Sequence, residues 1–187
     1  MKKMMSVSAV VLLIMSGCGG GGGSTSDLAT VSLSVTAVLD RLEADMVTSN
    51  TCTSGSSSGG TFSTETIPIA VTSTKYNNVT NPSPVTIQQI SISYQPYNTT
   101  AALHPLPAQY DTGKTVSPGS TVQFDVKVAP DSLKILMYDN GNGFQLCSLD
   151  YWEYYALITF SGEEDYTKKK VSFSQTVKVA FADRVNN

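Results

Sequence analysis

Five groups of residues have the types and spacing to do chemistry. Gly55-Ser56-Ser57-Ser58-Gly59 fits the G-x-S-x-G pattern of a hydrolase nucleophile elbow. That motif works because a preceding strand and a following helix hold the serine on a strained turn beside a histidine base. Here it lies inside TSNTCTSGSSSGG (48–60), a Ser/Gly-rich loop, and the single histidine, His104, is held in Leu-His-Pro. A chance match is expected, with Ser57 and His104 as ordinary loop residues and no catalytic residue assigned. One histidine cannot supply a tetrahedral zinc site. Glu163, Glu164 and Asp165 offer oxygens to Ca²⁺ but lack the alternating spacing of a calcium loop. With Lys168, Lys169 and Lys170 close behind, they are expected to form a solvated hairpin tip. Asp139-Asn140-Gly141-Asn142-Gly143 reads as a Gly-rich turn, and Asn78 and Asn98 begin sequons that say little by themselves. No metal or cofactor is expected.

The fifth group is Tyr151-Trp152-Glu153-Tyr154-Tyr155. Consecutive aromatics on a strand must point to both faces. With Trp152 and Tyr154 inward, Tyr151 and Tyr155 flank Glu153 on the opposite face. Amphipathic tyrosines beside a polar group make a platform for a sugar ring or a partner's side chain. The plainer expectation is that they pair across the sheet and shield its hydrogen bonds.

Strands must position these residues, because period-two alternation recurs along the chain. Val31, Leu33, Val35, Ala37 and Leu39 share one face of a first strand. A short helical turn is expected next, capped by Asp40 with Leu42 and Met46 on one side. Ile67, Ile69 and Val71 define a second strand, with Pro68 marking an edge or a strand start. In the third, Val85 and Ile87 occupy odd positions but Ile90, Ile92 and Tyr94 even ones. An extra residue at Gln88-Gln89, a β-bulge, reconciles the phases. Residues 103–113 read as a connection, and Ser117-Pro118-Gly119-Ser120 as a turn before Val122, Phe124, Val126 and Val128. Residues 130–136 read as a short helical turn. A closing hairpin sets Trp152, Tyr154, Ala156, Ile158 and Phe160 beside Val171, Phe173, Val177, Val179 and Phe181. About seven strands without a long helix predict an all-β fold, a single immunoglobulin-like β-sandwich. SPGSTVQFDVKV (117–128) resembles the Pro-Gly turn and following strand of bacterial immunoglobulin-like and fibronectin-III-like modules.

The amino-terminal end carries a second resemblance. Met1-Lys2-Lys3 precedes an apolar run from Val7 to Met15, the layout of a secretory signal peptide. The run is shorter than the roughly 20 residues a membrane span needs. Met15-Ser16-Gly17-Cys18 resembles the lipobox of bacterial lipoproteins, with Met15 where the family usually has Leu, Val or Ile. The resemblance implies cleavage after residue 17 and diacylglyceryl modification of the Cys18 thiol. Gly19 is not the aspartate that retains many such proteins at an inner membrane, so an outer-membrane destination is implied where there are two membranes. The expected domains are a signal peptide (1–17), a lipidated cysteine with a flexible tether (18–27) and a sandwich (28–187). The tether, GGGGGSTSD after Cys18, would span about 15–18 Å root-mean-square.

With Cys18 assigned to lipid, two of the three cysteines remain, Cys52 and Cys147. In an exported chain they are expected to form a disulfide. The acidic excess of 15 over 12 basic residues grows once Lys2 and Lys3 are removed, which excludes a basic nucleic-acid surface. Only 14% of residues are charged, as in exported β-proteins. These readings predict a non-enzymatic, lipid-anchored envelope module for adhesion or assembly. Its partner would be an envelope protein or a glycan, met at an unpaired edge strand or on the Tyr151/Glu153/Tyr155 face.

Overall fold

The structure is a computed structural model that describes residues 29–53, 56–109, 113–139, 144–148 and 151–183. The signal peptide, Cys18, the tether, Gly55 and most of 139–143 lie outside the described residues. In chain order the elements are β1 (Val31–Ala37), β2 (Arg41–Asp45), β3 (Thr51–Thr53), β4 (Ser56–Ser58), β5 (Glu65–Lys75) and β6 (Val85–Pro96). They continue as β7 (Leu106–Gln109), β8 (Lys114–Val116), β9 (Thr121–Ala129), α1 (Asp131–Asp139), β10 (Tyr151–Glu164) and β11 (Lys170–Ala182).

Two sheets carry the fold. One has the order β1-β5-β9; the other runs β2-β11-β10-β6-β7, with β8 also paired to β6. All pairings are antiparallel except β2 on β11, which is parallel. Apolar alternation decides which faces meet. Ile67, Ile69, Val71, Phe124 and Val126 of the first sheet are fully buried, as are Tyr154, Ile158, Phe160, Val179 and Phe181 of the second or nearly so. Phe124 and Phe160 touch edge to face across the gap, ring centroids 5.6 Å apart. Tyr94 reaches across as well, donating its hydroxyl to the Val128 carbonyl at 2.5 Å. The all-β sandwich expected from periodicity is the observed architecture.

The predicted bulge falls where the phase shift placed it. Gln89 pairs with Ser161 while Ile87 pairs with Gly162, leaving Gln88 as the extra residue. Gly162 is required there: a Cβ on it would lie 2.2 Å from the Thr86 carbonyl oxygen.

Several local expectations are corrected. The helical turn after Asp40 is instead β2, which runs beside β11 from Arg41↔Lys178 to Asp45↔Ala182. β1 stops at Ala37 and leaves Leu39 45% exposed. The 48–60 segment holds the β3–β4 hairpin, and the 103–113 connection holds β7. Pro68 does not mark a sheet edge, since β5 is the central strand of its sheet. Its missing N–H faces the point where β1 has ended, and its carbonyl still accepts from Val38 N at 3.2 Å. The proline therefore removes no ladder bond.

Register gives the molecule two poles. Val31 pairs with Lys75, and Thr30 donates to the carboxylate of Glu164 at the end of β10. The near pole thus holds the start of β1, the β5–β6 loop and the β10–β11 turn. The far pole holds the 46–64 insertion, α1, the loop after β6, the beginning of β10 and the end of β11. A strand of β10's length separates them by about 45 Å.

Candidate functional site

The outward face of β10 at the far pole gathers exposed tyrosines. Alternation along β10 buries Tyr154 and Ala156 and leaves Tyr151, Tyr155 and Leu157 exposed at 49, 36 and 42%. Tyr155 lies opposite Lys178 on β11 and Gln95 on β6. Lys178 in turn lies opposite Arg41 on β2. Four strands therefore deliver one row of side chains.

Glu153 belongs to this face but is buried, at 5% exposure. Arg41 Nη2 approaches its Oε1 at 3.1 Å and Lys178 Nζ its Oε2 at 4.0 Å. Both carboxylate oxygens thus face cations, so Glu153 organises the face rather than offering itself to a ligand. The Lys178 ammonium also sits 3.9 Å from the centre of the Tyr97 ring and 5.7 Å from that of Tyr155. A cation over an aromatic face is attracted by the ring quadrupole. Tyr97 and Tyr155 meet edge to face with centroids 5.3 Å apart. The loop carrying Tyr97 is pinned by Asn98, whose Oδ1 accepts from Glu153 N at 2.6 Å and whose Nδ2 donates to the Tyr151 carbonyl at 3.3 Å.

The result is a rigid tyrosine platform over a balanced set of charges, Arg41 and Lys178 against Glu43 and Glu153. Beside it, Tyr97, Asn98, Thr100 and Trp152 border an open depression of about 710 Å³. A second, mostly apolar cavity of about 380 Å³ lies between the 102–107 loop and α1, lined by His104, Leu106, Leu133 and Leu136. The sequence reading placed Tyr151, Glu153 and Tyr155 together, and the structure brings them to one face. It missed Arg41, Tyr97, Asn98 and Lys178. Parity within one strand is visible in a sequence, but the register between distant strands is not.

The remaining sequence candidates lie elsewhere. Ser57 sits on β4, where its Oγ accepts from Asn50 Nδ2 at 3.0 Å, and His104 is exposed in the loop before β7. The solvated tip expected of Glu163, Glu164 and Asp165 is corrected at Glu164, which is fully buried. Glu164 Oε1 accepts from Thr30 N and Oγ1 at 2.5 and 2.8 Å, and its Oε2 from the Thr167 hydroxyl. Burial raises its pKa, but the hydrogen bonds from Thr167, Thr30 and the Val31 N–H prevail and hold it below the usual carboxylate range. Glu163 pairs with Lys168 at 3.6 Å, and Asp165 accepts from Thr86 Oγ1 at 2.7 Å.

The β9 edge is guarded. The outward N–H and C=O of Lys127 on β9 are taken by the Gln109 side chain, and the Gln123 carbonyl by Lys114 Nζ at 3.3 Å. Such side-chain cover blunts a strand edge against further pairing. Cys52 and Cys147 form a disulfide with Cα atoms 5.4 Å apart, which ties the β3–β4 hairpin to the segment before β10. No protein-family model, curated protein or solved structure matches the chain.

Proposed function

We propose that this chain is a lipid-anchored cell-envelope interaction module, non-enzymatic, whose binding end is the far pole. The anchor rests on the lipobox resemblance at Cys18. The observation that carries the binding assignment is the tyrosine platform: three half-exposed rings, two of them braced by Lys178 and the buried Glu153. Rigid amphipathic rings lose little conformational entropy on binding, which is why tyrosines dominate interface hot spots. Strand addition at β9 is disfavoured by its side-chain cover.

A glycan reading is supported by the depression beside Tyr97, where Asn98, Thr99 and Thr100 set polar groups against aromatic ones. Cross-linking in intact cells, followed by identification of the captured protein, tests the first reading. Tyr97→Ala with Tyr155→Ala should abolish capture while the domain still melts cooperatively. Capture undiminished by that change rejects the platform. Binding on a glycan array that disappears in Tyr151→Ala with Tyr155→Ala would favour the second reading. Metabolic labelling with palmitate, lost in Cys18→Ala, tests the anchor separately.

A further inference from the structure

The near pole presents a second exposed surface, of different chemistry from the platform. Thr30 is its hub. It donates its N–H and hydroxyl to Glu164, its hydroxyl oxygen accepts from Ser83 N at 2.8 Å, and its carbonyl accepts from Tyr76 N at 3.4 Å. Ser83 Oγ in turn accepts from Tyr166 N at 2.9 Å. These bonds hold Tyr76 and Tyr166 close to the residues that the tether precedes in sequence. Tyr166, at 72%, is the most exposed large apolar side chain among the described residues, and Tyr76 is 42% exposed.

Acids and lysines are treated differently at this pole. The acids of the β10–β11 turn are tied down, Glu164 by its threonine donors and Asp165 by Thr86 Oγ1 at 2.7 Å. The lysines stay outside. Lys75, Lys168 and Lys170 are exposed, and Lys168 meets Glu163 in a surface pair at 3.6 Å, which water screens. At the opposite pole acids prevail. Arg41, Lys134 and Lys178 are each paired with a carboxylate there. Glu43, Asp131 and Asp183 stand at the same end, the last accepting from Asn50 Nδ2 at 2.9 and 3.1 Å beside the disulfide. Near a negatively charged surface, the field of such a molecule turns the lysine end inward and the acidic end away.

We propose that the near pole is a docking surface for an anionic phospholipid bilayer. Lys75, Lys168 and Lys170 meet the phosphates, and the Tyr76 and Tyr166 rings lie at headgroup level. Tyrosine suits that depth because its ring is apolar and its hydroxyl stays wet. Lysines within a Debye length of an anionic leaflet, about 8–10 Å, each strengthen association roughly fivefold. The inference rests on the anchor reading. A tether of about 15–18 Å keeps this pole within reach of the bilayer, and the high local concentration makes even weak contacts effective. Docking stands the strands upright and holds the tyrosine platform about 45 Å above the lipid, turned toward a partner.

The test follows the full chain in vesicles. Trp152, the only tryptophan, lies at the far pole, and Trp152→Phe with Tyr166→Trp moves the fluorophore to the docking surface. The vesicles contain brominated phosphatidylcholine, alone or mixed with phosphatidylglycerol. Parent and variant should float with both kinds of vesicle, as an anchored chain does. With phosphatidylglycerol present, the fluorophore at position 166 should be quenched and blue-shifted, while Trp152 of the parent is not. High salt, or Lys75→Gln with Lys168→Gln and Lys170→Gln, should remove most of that quenching without lowering the melting temperature. A chain that floats with both vesicles but stays unquenched at position 166 is anchored and undocked, which overturns this proposal alone. Flotation with phosphatidylglycerol vesicles only, with quenching at 166, keeps the docking surface and rejects the anchor. Flotation with neither rejects both. Equal quenching in pure phosphatidylcholine, or quenching that survives loss of the three lysines, also overturns the assignment.

Discussion

Glu164 joins the start of β1 to the tip of the last hairpin, through hydrogen bonds from Thr30 on one side and Thr167 on the other. Because its folded pKa lies below the unfolded one, it contributes stability above the ordinary carboxylate pKa. That contribution is lost as pH falls through the folded value. Glu164→Gln should therefore lower stability by about 1–2 kcal/mol near neutrality, leaving buried donors under-satisfied. The deficit should shrink in acid, where the wild-type carboxyl is itself protonated. Melting temperature against pH for both proteins checks this, and parallel curves would contradict it. The sequence reading stopped the strand at Phe160, and Glu163, Glu164 and Asp165 then look alike as a string. What decides is that β10 runs on to Glu164, so the inward phase of Tyr154, Ala156, Ile158 and Phe160 extends through Gly162 to the middle residue of the three. At the platform, Tyr151, Glu153 and Tyr155 were legible from alternation but their cations come from β2 and β11.

At the scale of elements, the β6–β10 pairing depends on Gln88 being extra and Gly162 having no side chain. Gly162→Ala places a methyl group against the Thr86 carbonyl, so the strands must separate or the bulge must move. The expected loss is about 2–4 kcal/mol, read as a lower denaturant midpoint with little change in slope. An Ala variant as stable as the parent would show that the bulge relaxes freely. The long strands and the bulge were readable because each carries a regular apolar phase and a single interruption. β2 was not readable, since Arg41-Leu42-Glu43-Ala44-Asp45 alternates over only five residues and its i, i+4 spacing equally suits a helical turn. Its strand conformation is imposed by the open edge of β11, a tertiary influence that local propensity does not contain. Lys134 is a similar case. A lysine in a short exposed-looking helix gives no sign of burial, yet its ammonium ends 2.8 Å from Glu65 and 2.5 Å from the Asp45 carbonyl.

For the molecule as a whole, the disulfide closes a loop spanning 95 positions and secures the insertion at the far pole. Cys52→Ser with Cys147→Ser should cost about 2–4 kcal/mol, leaving a folded but less stable domain, as equilibrium unfolding in urea will measure. A loss near zero would mean that Asn50 and Asp183 hold the pole unaided. The direction of the strands has one more consequence. A tug on the amino-terminal segment, resisted by a partner gripping the opposite end, runs along the strand axes. The seven registered pairs of β1 with β5 then bear the tension together, sliding in shear instead of peeling apart one by one. Behind them stand the five pairs of β2 with β11. Pulled between these two poles, the domain would present its strand pairs to the load in shear.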